Sequence, residues 1–235
     1  MAIAFNASKE GNSDTNAASY SIQPLPTGTT AGNVCFLVVG CGTSTAGAVT
    51  FTGWTNIRTF TNGGHSASIW YRVVQAGDTT TSAFTFDPPG TPESISWVSS
   101  EYSGVNTTTP ILVETGSIQL NSTAAMSTGT VNNTDANGWQ VVAGAIGDTS
   151  GNDSTTNFSV AGLTTRNEID GAELTSMAVA GWFDSNGPVT TGNKSSTVTL
   201  NNSTASGTDM CAWIGIINPA AGGATPKVSC GVLLG

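Results

Sequence analysis

The segment Glu168-Ile169-Asp170-Gly171-Ala172-Glu173 is the one place where residue type and spacing match a catalytic scheme. Two glutamates flanking a sugar bond serve a retaining glycosidase as nucleophile and acid/base, their carboxyl groups about 5–5.5 Å apart on one concave face. That geometry needs a strand bulged between them. Gly171-Ala172 reads instead as a hairpin turn between strands at 163–169 and 174–183, which leaves the acids in solvent. The equivalent place in the first half, Thr61-Asn62-Gly63-Gly64-His65, is a turn by composition. The expectation is a protein without catalytic residues.

Other reactive residue types are sparse. His65 is the only histidine and is expected to be exposed in that first turn, with no nucleophile motif beside it. With so many serines, a Ser-His-Asp triad drawn on the sequence carries no information. The loop Gly147-Asp148 to Asn157 has oxygens enough for calcium, yet lacks the spacing and terminal Glu of an EF-hand. A solvated turn is expected there, and no metal or cofactor. Of the six tryptophans, Trp54 and Trp182 are the candidates for stacking on a glycan, although their aliphatic neighbours fit packing better. Cys35 and Cys41 lie six apart on one predicted strand, about 20 Å at the strand rise, too far for a disulfide. Cys211, on the matching strand of the second half, could face either. Free buried thiols are expected.

The elements that would position these residues follow a period of two rather than 3.6. Ala67, Ile69, Tyr71 and Val73 share one face, and Met177, Val179 and Phe183 repeat the arrangement. Phe84 with Phe86, and Val198 with Leu200, mark shorter strands. The runs Val34 to Val39 and Trp139 to Ile146 are continuously apolar, as central strands covered on both faces should be. The pattern occurs twice: Gly53-Trp54-Thr55 and Gly162-Leu163-Thr164 are 109 residues apart, and Ser68 and Ser176 are 108 apart. The fold class expected is all-β, an antiparallel jelly-roll sandwich of two diverged repeats of four to five strands, at 30–106 and 136–219. Residues 1–219 form a single body, the segment from Thr107 to Thr134 links the repeats with one strand at Ile111 to Leu120, and 220–235 is a spacer followed by an apolar tail carrying Val228, Val232, Leu233 and Leu234.

Only 9% of the 235 residues are charged, about a third of the usual share, so Thr, Ser, Asn and Gly must build the surface. Such a surface suits packing against copies of the same chain or a large partner. A net charge of −9 with six basic residues leaves no stripe for phosphates, so no nucleic-acid partner is expected. No run approaches the roughly 18 apolar residues of a membrane span. The residues from Met1 to Asp14 lack the basic and apolar regions of a secretory signal, so assembly in a cytoplasm is expected.

At Gly53-Trp54-Thr55, Trp70-Tyr71-Arg72-Val73, Ala76-Gly77-Asp78 and Tyr102-Ser103-Gly104-Val105-Asn106, the first half resembles the lectin-like (concanavalin A-like) jelly-roll sandwich family. The resemblance covers about residues 30 to 220. The family occurs in virion proteins of tailed phages and in bacterial surface proteins, and the resemblance implies an antiparallel sandwich with a display role and no transferable catalytic residue. The second half departs from it, with Leu163 where Trp54 stands. Together with the uncharged surface and apolar tail, this gives the functional expectation of a phage structural protein. It would be a capsid decoration or other virion-surface protein, binding the major capsid or tail protein and copies of itself through Val228, Val232, Leu233 and Leu234. The alternative is an adhesin module that binds host glycans through Trp54 and Trp182.

Overall fold

A computed structural model describes residues 1–42, 47–62, 65–92, 94–119, 125–148, 157–169, 177–201 and 209–221. These residues form sixteen strands. The first eight are β1 (Ala4–Ser13), β2 (Tyr20–Ile22), β3 (Val34–Gly42), β4 (Thr50–Phe51), β5 (Thr55–Asn62), β6 (His65–Val73), β7 (Phe84–Asp87) and β8 (Ser94–Ser103). The second eight are β9 (Ile111–Gln119), β10 (Ala125–Asn133), β11 (Trp139–Asp148), β12 (Asn157–Val160), β13 (Thr164–Ile169), β14 (Met177–Pro188), β15 (Gly192–Asn201) and β16 (Asp209–Ile217). All pairings are antiparallel. A five-stranded sheet runs β1-β8-β3-β6-β5 and a three-stranded sheet β2-β7-β4; the others run β9-β16-β11-β14-β13 and β10-β15-β12. Adding eight to every strand of the first half gives the second.

The period of two explains how the sheets stack. Val34, Phe36 and Val38 of β3 point to one side, while Cys35, Leu37, Val39 and Cys41 point to the other. The second group packs on Tyr20, Ile22, Phe51 and Phe86 of the three-stranded sheet. In the second half Val142, Ile146, Val179 and Ile214 meet Met126, Phe158, Val198 and Leu200 in the same way. The remaining faces of the two five-stranded sheets meet each other, joining Phe36, Val38, Ile69 and Val98 to Ala143, Trp182 and Trp213. The result is four layers of sheet with three apolar cores between them. Burying each large side chain contributes about 1.5–3 kcal/mol.

The continuously apolar runs are the central strands β3 and β11, as their composition predicts. Four features differ from the sequence reading. Each half has eight strands rather than four or five, because in the first half Ala4–Ser13, Tyr20–Ile22 and Thr50–Phe51 also pair. The segment expected to link the repeats supplies two paired strands, β9 and β10. Each half already encloses a core of its own, and the sandwich between halves is a third one. Finally, Val179 and Phe183 do not repeat the face of Ile69: they point into the second half's own core, and Trp182 is the residue that faces the first half.

Bulges matched between the halves give the correspondence that shows this difference. An extra residue, Ile57, sits between Asn56 and Arg58 on β5, and Arg166 sits likewise on β13. They put Ile69, opposite Arg58, in step with Trp182, opposite Asn167. A second pair, Asn6 on β1 and Leu112 on β9, puts Tyr102 in step with Ile217. Trp97 and Trp213 are thus one position out of register and face opposite sides of their sheets, since a slip of one residue turns a side chain over.

Candidate functional site

The residues singled out from the sequence are dispersed by the fold. Trp182 is wholly buried between the five-stranded sheets, stacked at 5.7 Å on Phe36 and tilted against Trp213. Trp54 is 8% exposed and lies flat on Phe51, its ring centroid 5.1 Å away. The expectation that these two present ring faces to a glycan is therefore corrected. The turns at Gly53 and Gly162 are present as read. Trp54 donates its N–H to Phe51 and Leu163 donates to Val160, with Gly53 and Gly162 at φ of 76° and 78°, the left-handed third position of a type II turn. Val228, Val232, Leu233 and Leu234 lie outside the described residues, as do Asp170, Glu173 and most of the 148–157 loop.

Two acid-base expectations change. Glu168 is part of β13, and its carboxylate accepts the Phe158 N–H at 3.2 Å, so it is not a solvated turn residue. His65 opens β6 and is 7% exposed; its Nε2 lies 3.4 Å from Oδ2 of Asp209, itself buried at the start of β16. Sequence reasoning missed this pair because its members belong to opposite halves. Among the described residues no group of three or more His, Cys, Asp and Glu side chains is placed to hold a metal ion.

The buried polar chemistry instead lies along the seam between the five-stranded sheets. Asp184 on β14 is fully buried; its Oδ2 accepts from Arg166 Nε at 2.6 Å and from the Tyr102 hydroxyl at 2.7 Å, and its Oδ1 accepts from the Asn186 N–H. Trp182 Nε1 donates to the Tyr102 oxygen at 3.0 Å, and the Arg166 guanidinium lies 4.2 Å from the Phe5 ring centroid. Burial, and after it the Asp184 carboxylate, holds the Tyr102 phenol well above its ordinary range. Along the opposite edge Arg58 grips Glu114 through Nε and Nη2 at 2.7 and 2.8 Å, and Trp213 Nε1 donates to the same carboxylate. Hydrogen bonding to Glu114 raises the Arg58 guanidinium further. Arg72 is held by Asp78 in the same two-pronged way. Each of the three arginines thus has a carboxylate partner.

The three cysteines among the described residues are shielded from solvent. Cys35 and Cys41 face the first half's own core while Cys211 faces the seam, so a sheet separates them; all three are free and buried. Burial pushes the Cys41 thiol up to about 12 and the Cys35 and Cys211 thiols in the same direction.

Both ends of the described chain lie at one pole. Ala220 N–H donates to Gly104 C=O at 2.8 Å, Val105 bridges to Pro219, and the Met1 nitrogen lies 3.2 Å from the Ala220 oxygen. Beside them is a groove of about 450 Å³ lined by Met1, Ile3, Asp135, Trp139, Pro188 and Pro219. Gly104, at φ 70°, passes so close to Ala2 that a Cβ would collide with its carbonyl. Among the described residues no helix is long and apolar enough to cross a membrane. No protein-family description, curated protein or solved structure matches the chain.

Proposed function

We propose that this chain is a phage virion structural protein, a capsid decoration or other virion-surface accessory protein, built as two diverged jelly rolls in tandem. The observation that carries the reading is the pole where segments 1–3 and 219–221 run side by side. A body held there leaves its four stacked sheets projecting away from the attachment point. The duplicated jelly-roll plan is supported by the order β1-β8-β3-β6 with β2-β7-β4, repeated eight strands later, and by the matched bulges and type II turns.

The mechanism is mechanical. Copies attached through the pole, with Val228, Val232, Leu233 and Leu234 reaching the major capsid or tail protein, cement neighbouring subunits, each interface adding about 25 cal/mol per Å² of apolar area before ordering costs. A surface built mainly of hydroxyl and amide groups, with only 9% of residues charged, keeps the charge density between adjacent copies low. Assembly takes place in the host cytoplasm, and the mature location is the virion surface. Mass spectrometry of purified particles with averaged electron microscopy tests this: regular density joined to the particle at the pole is expected, and absence of the protein from particles overturns the reading. Deleting residues 228–235 is expected to lower occupancy, and unchanged occupancy removes the tail from the mechanism.

A further inference from the structure

We propose that the seam between the five-stranded sheets is a recognition surface that selects unlike halves, so that the first-half face binds a second-half face, from this chain or a second copy, and rejects its own kind. The proposal rests on the duplicated plan. Like strands of the two halves meet across the seam, β1 on β13 as β5 on β9 and β3 on β14 as β6 on β11, so related contacts can be compared. On one side Arg58 of β5 grips Glu114 of β9; in the mirror position the Ser8 hydroxyl of β1 donates to the Arg166 carbonyl of β13. His65 of β6 meets Asp209 of β16; the residues in step with them are Ala178 of β14 and Ser94 of β8, and two residues along β8 the Ser96 hydroxyl donates to the Ala178 carbonyl. Tyr102 of β8 reaches Asp184 of β14; the residues in step with them are Ile217 and Tyr71, both packed in the seam.

Each contact is therefore charged in one version and uncharged in the other, and the acids held in it (the partly exposed Glu114 and the buried Asp184 and Asp209) all belong to the second half. Their cross-seam donors, Arg58, His65 and Tyr102, all belong to the first. Arg166 is the second half's own cation and is taken up by Asp184; Glu10 of β1 lies on the same face but is exposed. Two first halves would bring Arg58 against Ser8 and His65 against Ser94, the residue in step with Asp209. Two second halves would set Asp209 against Ala178 and Asp184 against Ile217. A pair of second halves would enclose Asp209 without its partner, whose desolvation is not recovered, and a pair of first halves would leave Arg58 without its carboxylate.

The test uses the full chain with a protease site placed among Thr107, Thr108 and Thr109, which are exposed between the halves. Cleaved in the folded state, it should elute at its original size. Light and heavy isotopic batches of the cleaved protein are then mixed and followed by native mass spectrometry. Mixed-mass complexes of unlike halves are expected to exceed like pairs by about tenfold or more. Changing Arg58→Gln together with Glu114→Gln, which keeps an acceptor for Trp213, should raise the like-pair fraction several-fold. Like pairs as abundant as unlike ones overturn the charge-based selection while leaving the duplicated plan intact. Dispersal into unfolded fragments on cleavage overturns the seam as a recognition surface. Should the double variant fail to fold, the native-sequence exchange decides alone.

Discussion

At the scale of single residues, the most costly position is Asp184, fully buried with three donors. Asp184→Asn leaves Arg166 without its counter-charge and is expected to cost about 3–5 kcal/mol in urea unfolding. Tyr102→Phe removes the link between Trp182 Nε1 and Asp184 and should cost about 1–3 kcal/mol. The thiols give a pH prediction. Cys35, Cys41, Cys211 and Tyr102 all have acid groups raised by burial. Above their ordinary range the unfolded chain releases these protons and the folded chain keeps them. Their contribution is thus complete at neutral pH and is lost as pH rises, from about 9 toward the Cys41 value of about 12. Unfolding at stepped pH should show this alkaline loss, reduced in Cys41→Ala relative to its own neutral stability, and the three thiols should resist thiol reagents in the native state. Little at this scale was legible beforehand. A histidine after Gly-Gly reads as exposed, because nothing local announces an aspartate from the other half.

Elements were far more legible, since strands and turns are set by neighbours in sequence. Gly53 and Gly162 close the same type II turn, and a side chain at their φ costs about 1–2 kcal/mol. Gly162→Ala should lose about that much, as nothing lies within 4 Å of its added Cβ. Gly53→Ala should lose more, because its Cβ would stand 2.9 Å from Arg72 Nη1 and disturb the bond from that atom to the Gly53 carbonyl. Thermal unfolding of the two variants side by side checks the ranking. The strands left out of the sequence reading are short or poor in apolar residues: β2 has three residues, and β1 reads Ala-Phe-Asn-Ala-Ser-Lys-Glu-Gly-Asn-Ser and is an edge strand with one half-buried face. Its place in the sheet is fixed by pairing to β8, which composition does not encode.

At the scale of the whole molecule, three cores share the five-stranded sheets, so neither half can lose its seam face without exposing Trp182 or Phe36. Trp182→Ala is expected to cost about 3–5 kcal/mol and to lower a single calorimetric transition in which both halves unfold together. Two separated transitions in the unaltered chain would show that the seam does not couple them. By itself the sequence determined that the chain is all-β, which apolar runs are central strands, and that Gly53 and Gly162 mark equivalent turns, because period two and turn chemistry act over a few residues. Only the tertiary structure decided that each half has eight strands, that Trp182 faces the other half while Trp97 faces its own, and that His65 is buried against Asp209. The physical reason is long-range register: Trp182 stands opposite Ala143 on β11 and Trp97 opposite Val39 on β3, one residue of shift apart. The shift changes which side chains face one another, and no local pattern records it.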